Sequence, residues 1–276
     1  MRILVTNDDG PECEGVHVLA RELQDCGDVV VVVPHEERTG AGASVGTIHA
    51  LIPEVRPLAV AGVKEAWTVN GPPGLCVMLA SLGALGPPID LVVVGINPGA
   101  NVGSLICHSG TVGAALTARQ SGINAVAVSQ AVTKFPEGAG WENMLAEQCW
   151  DSAAAVAKAV VIGLLANLPA DPLLVNLNVP NVPLEQIKTW RYTDIAKQSW
   201  SQTIGAVSRQ PLGEEQHGFG LRMSFGERHS LPPETDAGAV ERGEVSVTLL
   251  GEMWVASNQS GPVVIDTAMN TVFANH

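Results

Sequence analysis

The sequence predicts an α/β protein built on a doubly wound and mostly parallel sheet. Three apolar runs, at residues 3–5, 28–33 and 90–95, have the length and β-branched composition of strands that are covered on both faces. Segments with helical spacing of apolar residues separate these runs. Because crossovers between such strands are right-handed, the alternation favours parallel pairing. A smaller, extended C-terminal portion follows this sheet.

The composition indicates a globular chain with an aliphatic core. Of the 276 residues, 46% are hydrophobic but only 4% are aromatic, which suits Val-rich strands under Ala/Leu helices. The net charge is −13, with 28 acidic and 15 basic residues. Such a surface repels nucleic-acid backbones, so a nonspecific DNA or RNA binder is excluded. A small phosphorylated ligand remains compatible, because a bound metal reverses the charge locally.

The cysteines and the apolar segments predict a cytoplasmic location. Five scattered cysteines form no CxxC pair, which argues against a disulfide framework or a zinc ribbon. A strand pattern begins at residue 2, with no basic segment leading into an apolar one, so no secretory signal is expected. The apolar stretches are shorter than the roughly 20 residues of a membrane span. We therefore expect a soluble protein with no membrane contact.

The first 34 residues predict a β-α-β unit. The strand at residues 3–5 is followed by a polar turn and then by a helix over residues 16–23, whose apolar residues recur at helical spacing. Gly27 ends this helix, and the strand at 28–33 stops at Pro34.

The chain continues the alternation up to about residue 193. Residues 48–70, interrupted by Pro53 and Pro57, contain short strands that the pattern does not define. The further predicted helices cover residues 75–85, 112–119 and 141–165, and the further strands cover residues 90–95, 125–129 and 173–179. This order predicts one domain with a parallel, doubly wound sheet over residues 1–193.

Residues 194–276 are more polar and predict a different kind of structure. We expect an extended arm at 198–204, a strand at 244–250 and a terminal helix at 261–274. Because this portion is too thin for a core of its own, it should pack on the main domain or on a neighbouring subunit.

Asp8 and Asp9 are adjacent carboxylates that follow the first strand directly. Side chains at the carboxyl ends of parallel strands lie where open α/β sheets bind ligands. Two neighbouring carboxylates repel each other unless a cation lies between them or one keeps its proton. A divalent-metal site is one interpretation; the other is an acidic turn that caps the next helix.

Oxygen-bearing side chains also follow two other strands. Thr39 comes after the second strand, within a Gly-rich loop at residues 35–47, and Asn97 follows the strand at 90–95. Together with Asp8 and Asp9 these oxygens suit one Mg²⁺ or Mn²⁺ ion better than Zn²⁺. Such an ion polarises a phosphoryl oxygen and lowers the pKa of bound water.

Ser109, Gly110 and Thr111 precede the helix at 112–119. A helix start attracts anions through its free N–H groups, so this turn is a candidate phosphate site. The alternative is that Ser109 or Thr111 only caps the helix. His108, next to this turn, either assists the leaving group or is structural, and Arg38 either contacts phosphate or pairs with Glu36 or Glu37.

Several motifs, in order along nearly the whole chain, resemble the SurE (survival protein E) family of metal-dependent nucleotidases. They are ILVTNDDG at 3–10, RTG at 38–40, GIN at 95–97, SGTV at 109–112, NLNVP at 176–180, TD at 235–236 and VSVT at 245–248. The resemblance implies a phosphatase acting on nucleoside 5'- and 3'-monophosphates. It also implies a Rossmann-like domain whose C-terminal portion extends into a neighbour, giving a homodimer or homotetramer.

The same resemblance assigns roles to individual residues. It implies one divalent cation held by Asp8, Asp9, Thr39 and Asn97, with Asp8 and Asp9 as the catalytic pair. It implies substrate or phosphate contacts by Asn97, Asn101, Ser109, Gly110 and Thr111.

This chain departs from the family pattern at several positions. Thr39 replaces a Ser, and Cys13-Glu14 stands where Ala-Pro is expected. Leu75 replaces an Asp, and Thr117 stands near the place of a Glu. These changes leave open a non-catalytic or altered-specificity phosphate-binding protein. A signalling receiver domain would instead need an Asp at the end of the strand at 90–95, where this chain has Asn97.

Overall fold

The computed structural model describes residues 1–46, 48, 52–132, 145, 147–197, 202–211, 219–228 and 230–251. The strands are β1 Arg2–Thr6, β2 Asp28–Pro34, β3 Val55–Pro57, β4 Glu65–Val69, β5 Leu91–Pro98, β6 Asn124–Gln130, β7 Leu174–Val179, β8 Trp190–Tyr192, β9 Gln202–Pro211, β10 Phe219–Arg228 and β11 Val245–Leu250. The α-helices are α1 Glu14–Glu22, α2 Pro73–Ser81, α3 Gly110–Gln120, α4 Trp150–Ala166 and α5 Asp236–Glu241.

Nine of these strands form one sheet in the order β3-β4-β2-β1-β5-β6-β7-β11-β8. The six strands from β4 to β7 in this order are all parallel. The predicted doubly wound, mostly parallel sheet is therefore confirmed. The strand order reverses between β1 and β5, and in such sheets ligands bind beyond the carboxyl ends of the strands at that switch point.

Two helical layers cover the central sheet. Alternate residues of β1 point to opposite faces, as the period of a strand requires. Ile3 and Val5 pack in one apolar cluster with residues of α1 and α4. Leu4 packs in the other cluster, with residues of α2 and α3. Strands buried on both faces explain why the runs in the sequence are continuously apolar.

Strand β5 differs from its predicted extent at the position of a candidate site residue, Asn97. The sequence predicts that this strand ends at Gly95, but it continues to Pro98. The pairing with β6 shifts register between Val94 and Asn97 and then resumes, with Asn97 opposite Ser129. Gly95 accommodates this irregularity with φ +137°, and a Cβ there would lie 2.3 Å from the Val128 carbonyl oxygen. Asn97 is therefore part of a strand and not of the turn after it.

Other bounds differ by smaller amounts. Helix α2 begins at Pro73 and ends at Ser81, earlier than the predicted 75–85. Helix α4 begins at Trp150 and ends at Ala166, whereas the predicted helix covers residues 141–165, of which 141–144 and 146 lie outside the described residues. Residues 52–70 contain the short strands β3 and β4 at one edge of the sheet.

The C-terminal portion joins the main sheet. Strand β11 pairs antiparallel with β7 and parallel with β8, so its residues belong to the same sheet as β1. Strands β9 and β10 form a separate antiparallel hairpin, and β9 begins within the predicted arm. The predicted terminal helix at 261–274 lies outside the described residues. Within the described ranges, no helix has the length and apolar character that a membrane span requires.

Candidate functional site

Asp8 and Asp9 lie in the turn after β1, at the switch point of the sheet. The side-chain amide of Asn7 donates a 2.8 Å hydrogen bond to the Gly10 carbonyl oxygen and closes this turn. Asp8 is 2% exposed. The turn therefore holds the Asp8 carboxylate inside the protein, at the sheet edge that the sequence predicts.

The start of α3 lies directly against Asp8. Thr111 Oγ1 donates a 2.6 Å hydrogen bond to Asp8 Oδ1. Gly110 makes this approach possible, because a Cβ at that position would lie 2.6 Å from Asp8 Oδ2. The backbone amides of Gly110 and Thr111 favour the charged carboxylate, but burial is the larger effect and raises the pKa of Asp8. Asp8 therefore lies at the positive end of α3, which offsets part of the effect of burial.

Ser109 is the N-cap of α3. Its Oγ accepts a 3.1 Å hydrogen bond from the Val112 amide, as the capping interpretation requires. The Gly-rich loop packs on the same helix start, because the Gly42 amide donates to the His108 carbonyl oxygen at 3.1 Å. A Cβ at Gly113 would lie 2.1 Å from the Gly42 carbonyl oxygen. The loop after β2 and the first turn of α3 are therefore in backbone contact.

Asp9 is the least satisfied carboxylate of the site. Its Oδ2 is buried and has no hydrogen-bond partner among the described residues. Burial raises the pKa of Asp9 well above its usual value, and the charges of Asp8 and Glu37 raise it further. A buried carboxylate with an unpartnered oxygen beside two other carboxylates is an arrangement that a cation would stabilise.

The loop that carries Thr39 is tied to the acidic turn. The Arg38 amide donates a 2.7 Å hydrogen bond to the Asp8 carbonyl oxygen. Thr39 Oγ1 donates a 2.8 Å hydrogen bond to Glu37 Oε1. The structure therefore brings the Thr39 segment next to Asp8, as the sequence predicts. It also brings in Glu37, for which sequence reasoning had considered only a pairing with Arg38.

Asn97 extends from β5, the neighbour of β1 at the switch point. Its Nδ2 donates a 2.7 Å hydrogen bond to the Gly99 carbonyl oxygen. This bond fixes the orientation of the amide group, so the side-chain oxygen is the atom that would bind a cation. No hydrogen bond among the described residues joins the Asn97 side chain to Asp8 or Asp9.

Asn101 is anchored to the sheet. Its Nδ2 donates to Ser129 Oγ at 2.9 Å, and its backbone amide donates to Asn178 Oδ1 at 2.8 Å. Its carbonyl oxygen accepts a 2.9 Å hydrogen bond from Asn176 Nδ2. The sequence predicted that Asn101 contacts the substrate, and it identified NLNVP at 176–180 only as a motif. The contacts show that the two asparagines of this motif, Asn176 and Asn178, form hydrogen bonds with the backbone of Asn101.

Asp236 supports the same segment from the C-terminal portion. This fully buried carboxylate accepts hydrogen bonds from the amides of Gly103, Ala196 and Ala237, each at 2.8 Å. Sequence reasoning saw Thr235-Asp236 as a motif without a role. The signal in the sequence that could have indicated a role for Asp236 was its place directly after Thr235, the N-cap of α5.

Three other candidates have structural contacts. Arg38 Nη2 lies 2.5 Å from Glu36 Oε1, which favours the ion-pair alternative. Leu75 is buried in the apolar cluster of α2 and α3. Thr117 Oγ1 donates a 2.9 Å hydrogen bond to the Gly113 carbonyl oxygen within α3. Leu75 and Thr117, which differ from the family pattern, therefore contribute to the packing of α2 and to hydrogen bonding within α3.

The donor chemistry of this edge suits a hard cation. In the part of the chain that the structure describes, no three His, Cys, Asp or Glu side chains are grouped closely enough to form a metal site by themselves. A site at Asp8 and Asp9 must therefore use hydroxyl or amide oxygens as well, which Thr39 and Asn97 would supply. Oxygen-only donor sets are typical of Mg²⁺ and Mn²⁺.

Comparisons with known proteins identify the family that this chain resembles along most of its length. The family model described as survival protein SurE matches residues 3–202. A protein named 5'-nucleotidase SurE from Aeromonas hydrophila is 36% identical over 258 residues, which cover 91% of this chain and 92% of that protein. A protein of the same name from Nitrosococcus oceani is 37% identical over 249 residues, covering 90% of both. The crystal structure of a SurE protein from Aquifex aeolicus superimposes with a TM-score of 0.75 at 28% identity, covering 99% of both chains.

Proposed function

Because this chain belongs to the survival protein SurE family, we propose that it is a divalent-metal-dependent phosphomonoesterase acting on nucleoside 5'- and 3'-monophosphates. The relatives named above are 5'-nucleotidases by name. The products are the nucleoside and inorganic phosphate. The observation that carries the proposal is the carboxylate pair at the switch point, with Asp9 Oδ2 buried and unpartnered in the described structure.

Asp8, Asp9, Thr39 and Asn97 would hold one Mg²⁺ or Mn²⁺ per subunit. This set fits the cation because it offers only oxygen atoms and because burial, followed by the charges of Asp8 and Glu37, raises the pKa of Asp9. When bound, such a cation supplies Lewis-acid polarisation of a phosphoryl oxygen and a more acidic bound water.

The residues of the chain contribute positioning and electrostatics. Thr111 holds Asp8 in one orientation, and Gly110 allows the α3 backbone to come close. We assign Ser109, Gly110 and Thr111 to the phosphate, because they form the positive dipole end of α3 beside the carboxylates. Asn97 and Asn101 would line the substrate side, held by the contacts to Gly99 and Ser129.

The direct test is phosphate release from 5'-AMP and 3'-AMP by the purified protein. We expect turnover with Mn²⁺ or Mg²⁺, loss of turnover in EDTA, and recovery on adding the metal back. Asp9→Asn should reduce turnover at least about 100-fold, while circular dichroism shows an unchanged fold. The alternative, a phosphate-binding protein without catalysis, predicts nucleotide-dependent thermal stabilisation without phosphate release.

We also propose a cytoplasmic homodimer or homotetramer. The β9–β10 hairpin pairs with no other described strand, and Val207, Phe219 and Leu221 on it are exposed. All five cysteines are free thiols, as a reducing compartment allows. Light scattering coupled to size-exclusion chromatography tests the subunit number, and a monomeric mass would contradict this part of the proposal.

A further inference from the structure

Glu37 is an acidic residue at the rim of the site. It lies in the loop after β2 and is exposed, and its carboxylate Oε1 accepts the 2.8 Å hydrogen bond from Thr39 Oγ1. The backbone of this loop passes over the acidic turn, because a Cβ at Gly10 would lie 3.3 Å from the Glu37 amide nitrogen. Glu37 is therefore linked to Thr39 by a hydrogen bond and to the Asp8–Asp9 turn by backbone contact.

The Thr39 hydroxyl has one proton and two acceptor lone pairs. While the proton points to Glu37, the lone pairs point elsewhere. A hydroxyl binds a cation through its lone pairs, so an acceptor that holds the proton presents the oxygen in the orientation a cation needs. Groups that hold a ligand in this way commonly change metal affinity 10- to 100-fold.

Glu37 also carries a charge near the acidic turn. Its carboxylate is one of the charges that raise the pKa of Asp9, so its field reaches the acidic turn. It does not complete a three-carboxylate cluster with Asp8 and Asp9 in the described structure. These two facts favour a role beside the ligands and not as one of them.

We propose that Glu37 is a positioning residue of the metal site, which holds the Thr39 hydroxyl proton so that the Thr39 oxygen faces a divalent cation at Asp8 and Asp9. The inference rests on the proposed metal-dependent function and adds a residue to it. It requires that the contribution of Glu37 to metal affinity pass through Thr39.

The test is Mn²⁺ binding to the metal-free full-length protein, measured by isothermal titration calorimetry without substrate. The variants are Glu37→Ala, Glu37→Gln, Thr39→Val and the double variant Glu37→Ala/Thr39→Val. Glu36→Ala is the matched control, because Glu36 is the adjacent acid and pairs with Arg38 instead of Thr39. Asp9→Asn is the reference for loss of the site.

We expect Glu37→Ala to weaken Mn²⁺ binding about 10-fold, and Glu37→Gln to weaken it less because Gln retains an oxygen acceptor. In the Thr39→Val background, Glu37→Ala should add less than about a twofold change, as coupled residues are non-additive. Glu36→Ala should stay within about twofold of the wild type.

Four results would overturn the inference. Wild-type affinity in Glu37→Ala would show that Glu37 is not needed, while the proposed function would stand. An undiminished Glu37→Ala effect in the Thr39→Val background, or an equal loss in Glu36→Ala, would show that charge alone acts. Absence of Mn²⁺ binding to the wild type, equal to Asp9→Asn, would overturn both this inference and the proposed metal site.

Discussion

The Thr111 hydroxyl donates a 2.6 Å hydrogen bond to Asp8 Oδ1 across 103 positions of sequence. Both residues are buried, so the bond is shielded from water. It joins the carboxyl end of β1 to the first turn of α3, the two parts of the site that sequence reasoning had assigned separately to metal and to phosphate. One residue therefore orients the carboxylate and also lies in the predicted phosphate turn.

Thr111→Val tests this bond with little change in side-chain shape. Since a buried carboxylate oxygen loses its donor, we expect the free energy of unfolding to fall by about 1–3 kcal/mol in urea denaturation. Phosphatase activity should fall at least about 10-fold, because Asp8 loses its fixed orientation. Thr117→Val, also buried on α3 but bonded only to Gly113 within the helix, should cost less than about 1 kcal/mol. Equal effects of the two variants would contradict the assigned role.

Gly110→Ala tests the close approach of α3 to Asp8. A Cβ at position 110 would lie 2.6 Å from Asp8 Oδ2 and 2.8 Å from Asp8 Cβ, so the carboxylate or the helix must move. We expect a loss of about 1–3 kcal/mol in stability and about 100-fold in turnover. Gly163→Ala is the control, because nothing lies within 4 Å of a Cβ there, and it should stabilise α4 by about 0.5–1 kcal/mol. Wild-type turnover in Gly110→Ala would refute the geometry.

The raised pKa of Asp9 predicts a pH dependence of stability in the metal-free protein. Because the folded pKa lies above the unfolded value of 3.8, the folded state binds more protons between these two values. The contribution of Asp9 to stability is therefore fully present at and below the unfolded pKa, and it is lost as pH rises through the folded pKa. Asp9→Asn removes this loss, so in EDTA we expect it to be more stable than the wild type at pH 7.5, by an amount of order 1 kcal/mol.

Thermal unfolding of the two proteins in EDTA at several pH values measures this difference. The gap between Asp9→Asn and the wild type should widen with rising pH and should close when Mn²⁺ is added to the wild type. A constant gap from pH 5 to pH 7.5 would count against uncompensated charge at Asp9. The same experiment shows whether the Asp9 carboxylate, which the metal site requires, lowers the stability of the metal-free protein.

Asp236→Asn tests the support from the C-terminal portion. The Asp236 carboxylate accepts amide hydrogen bonds from Gly103, Ala196 and Ala237, and an amide group would place N–H atoms against at least one of these donors. We expect a loss of about 1.5–3 kcal/mol in unfolding free energy. Glu234→Gln, on the exposed residue two positions earlier, should stay within about 0.5 kcal/mol. A neutral Asp236→Asn would mean that the C-terminal portion does not hold the 99–103 segment.

Local patterns predicted the strands and the acidic turn well. The run of valines in β2 is apolar on both faces because helices cover both sides of the sheet. The same reasoning placed Asp8 and Asp9 at a carboxyl edge, where the structure has them. It wrongly placed Asn97 in the turn after β5. The strand continues because its pairing with β6 shifts register, and such a shift cannot be predicted from composition.

The sequence patterns did not predict the contacts between segments that are far apart in the chain. The sequence predicted a strand at 244–250 that packs on the main domain or on a neighbouring subunit, but not its place in the sheet. Strand β11 lies between β7 and β8, because an antiparallel neighbour satisfies the backbone groups at the edge of β7. Glu37 was considered only as a partner for Arg38, since its relation to Asp9 arises from the fold of the loop after β2. The family motifs marked Asn176, Asn178 and Asp236 without stating what they hold.

The sequence by itself determined the class of the fold, the family and the identity of the oxygen donors, because burial on both faces and the chemistry of a side chain are local properties. The tertiary structure decided which of those donors meet: Asp8 with Thr111, Thr39 with Glu37, and Asn101 with the asparagines of β7. The physical reason is that a hydrogen bond forms only when the donor and acceptor lie within a few tenths of an ångström of their preferred distance. Such distances between segments far apart in the chain are set only when crossovers, register and packing are complete.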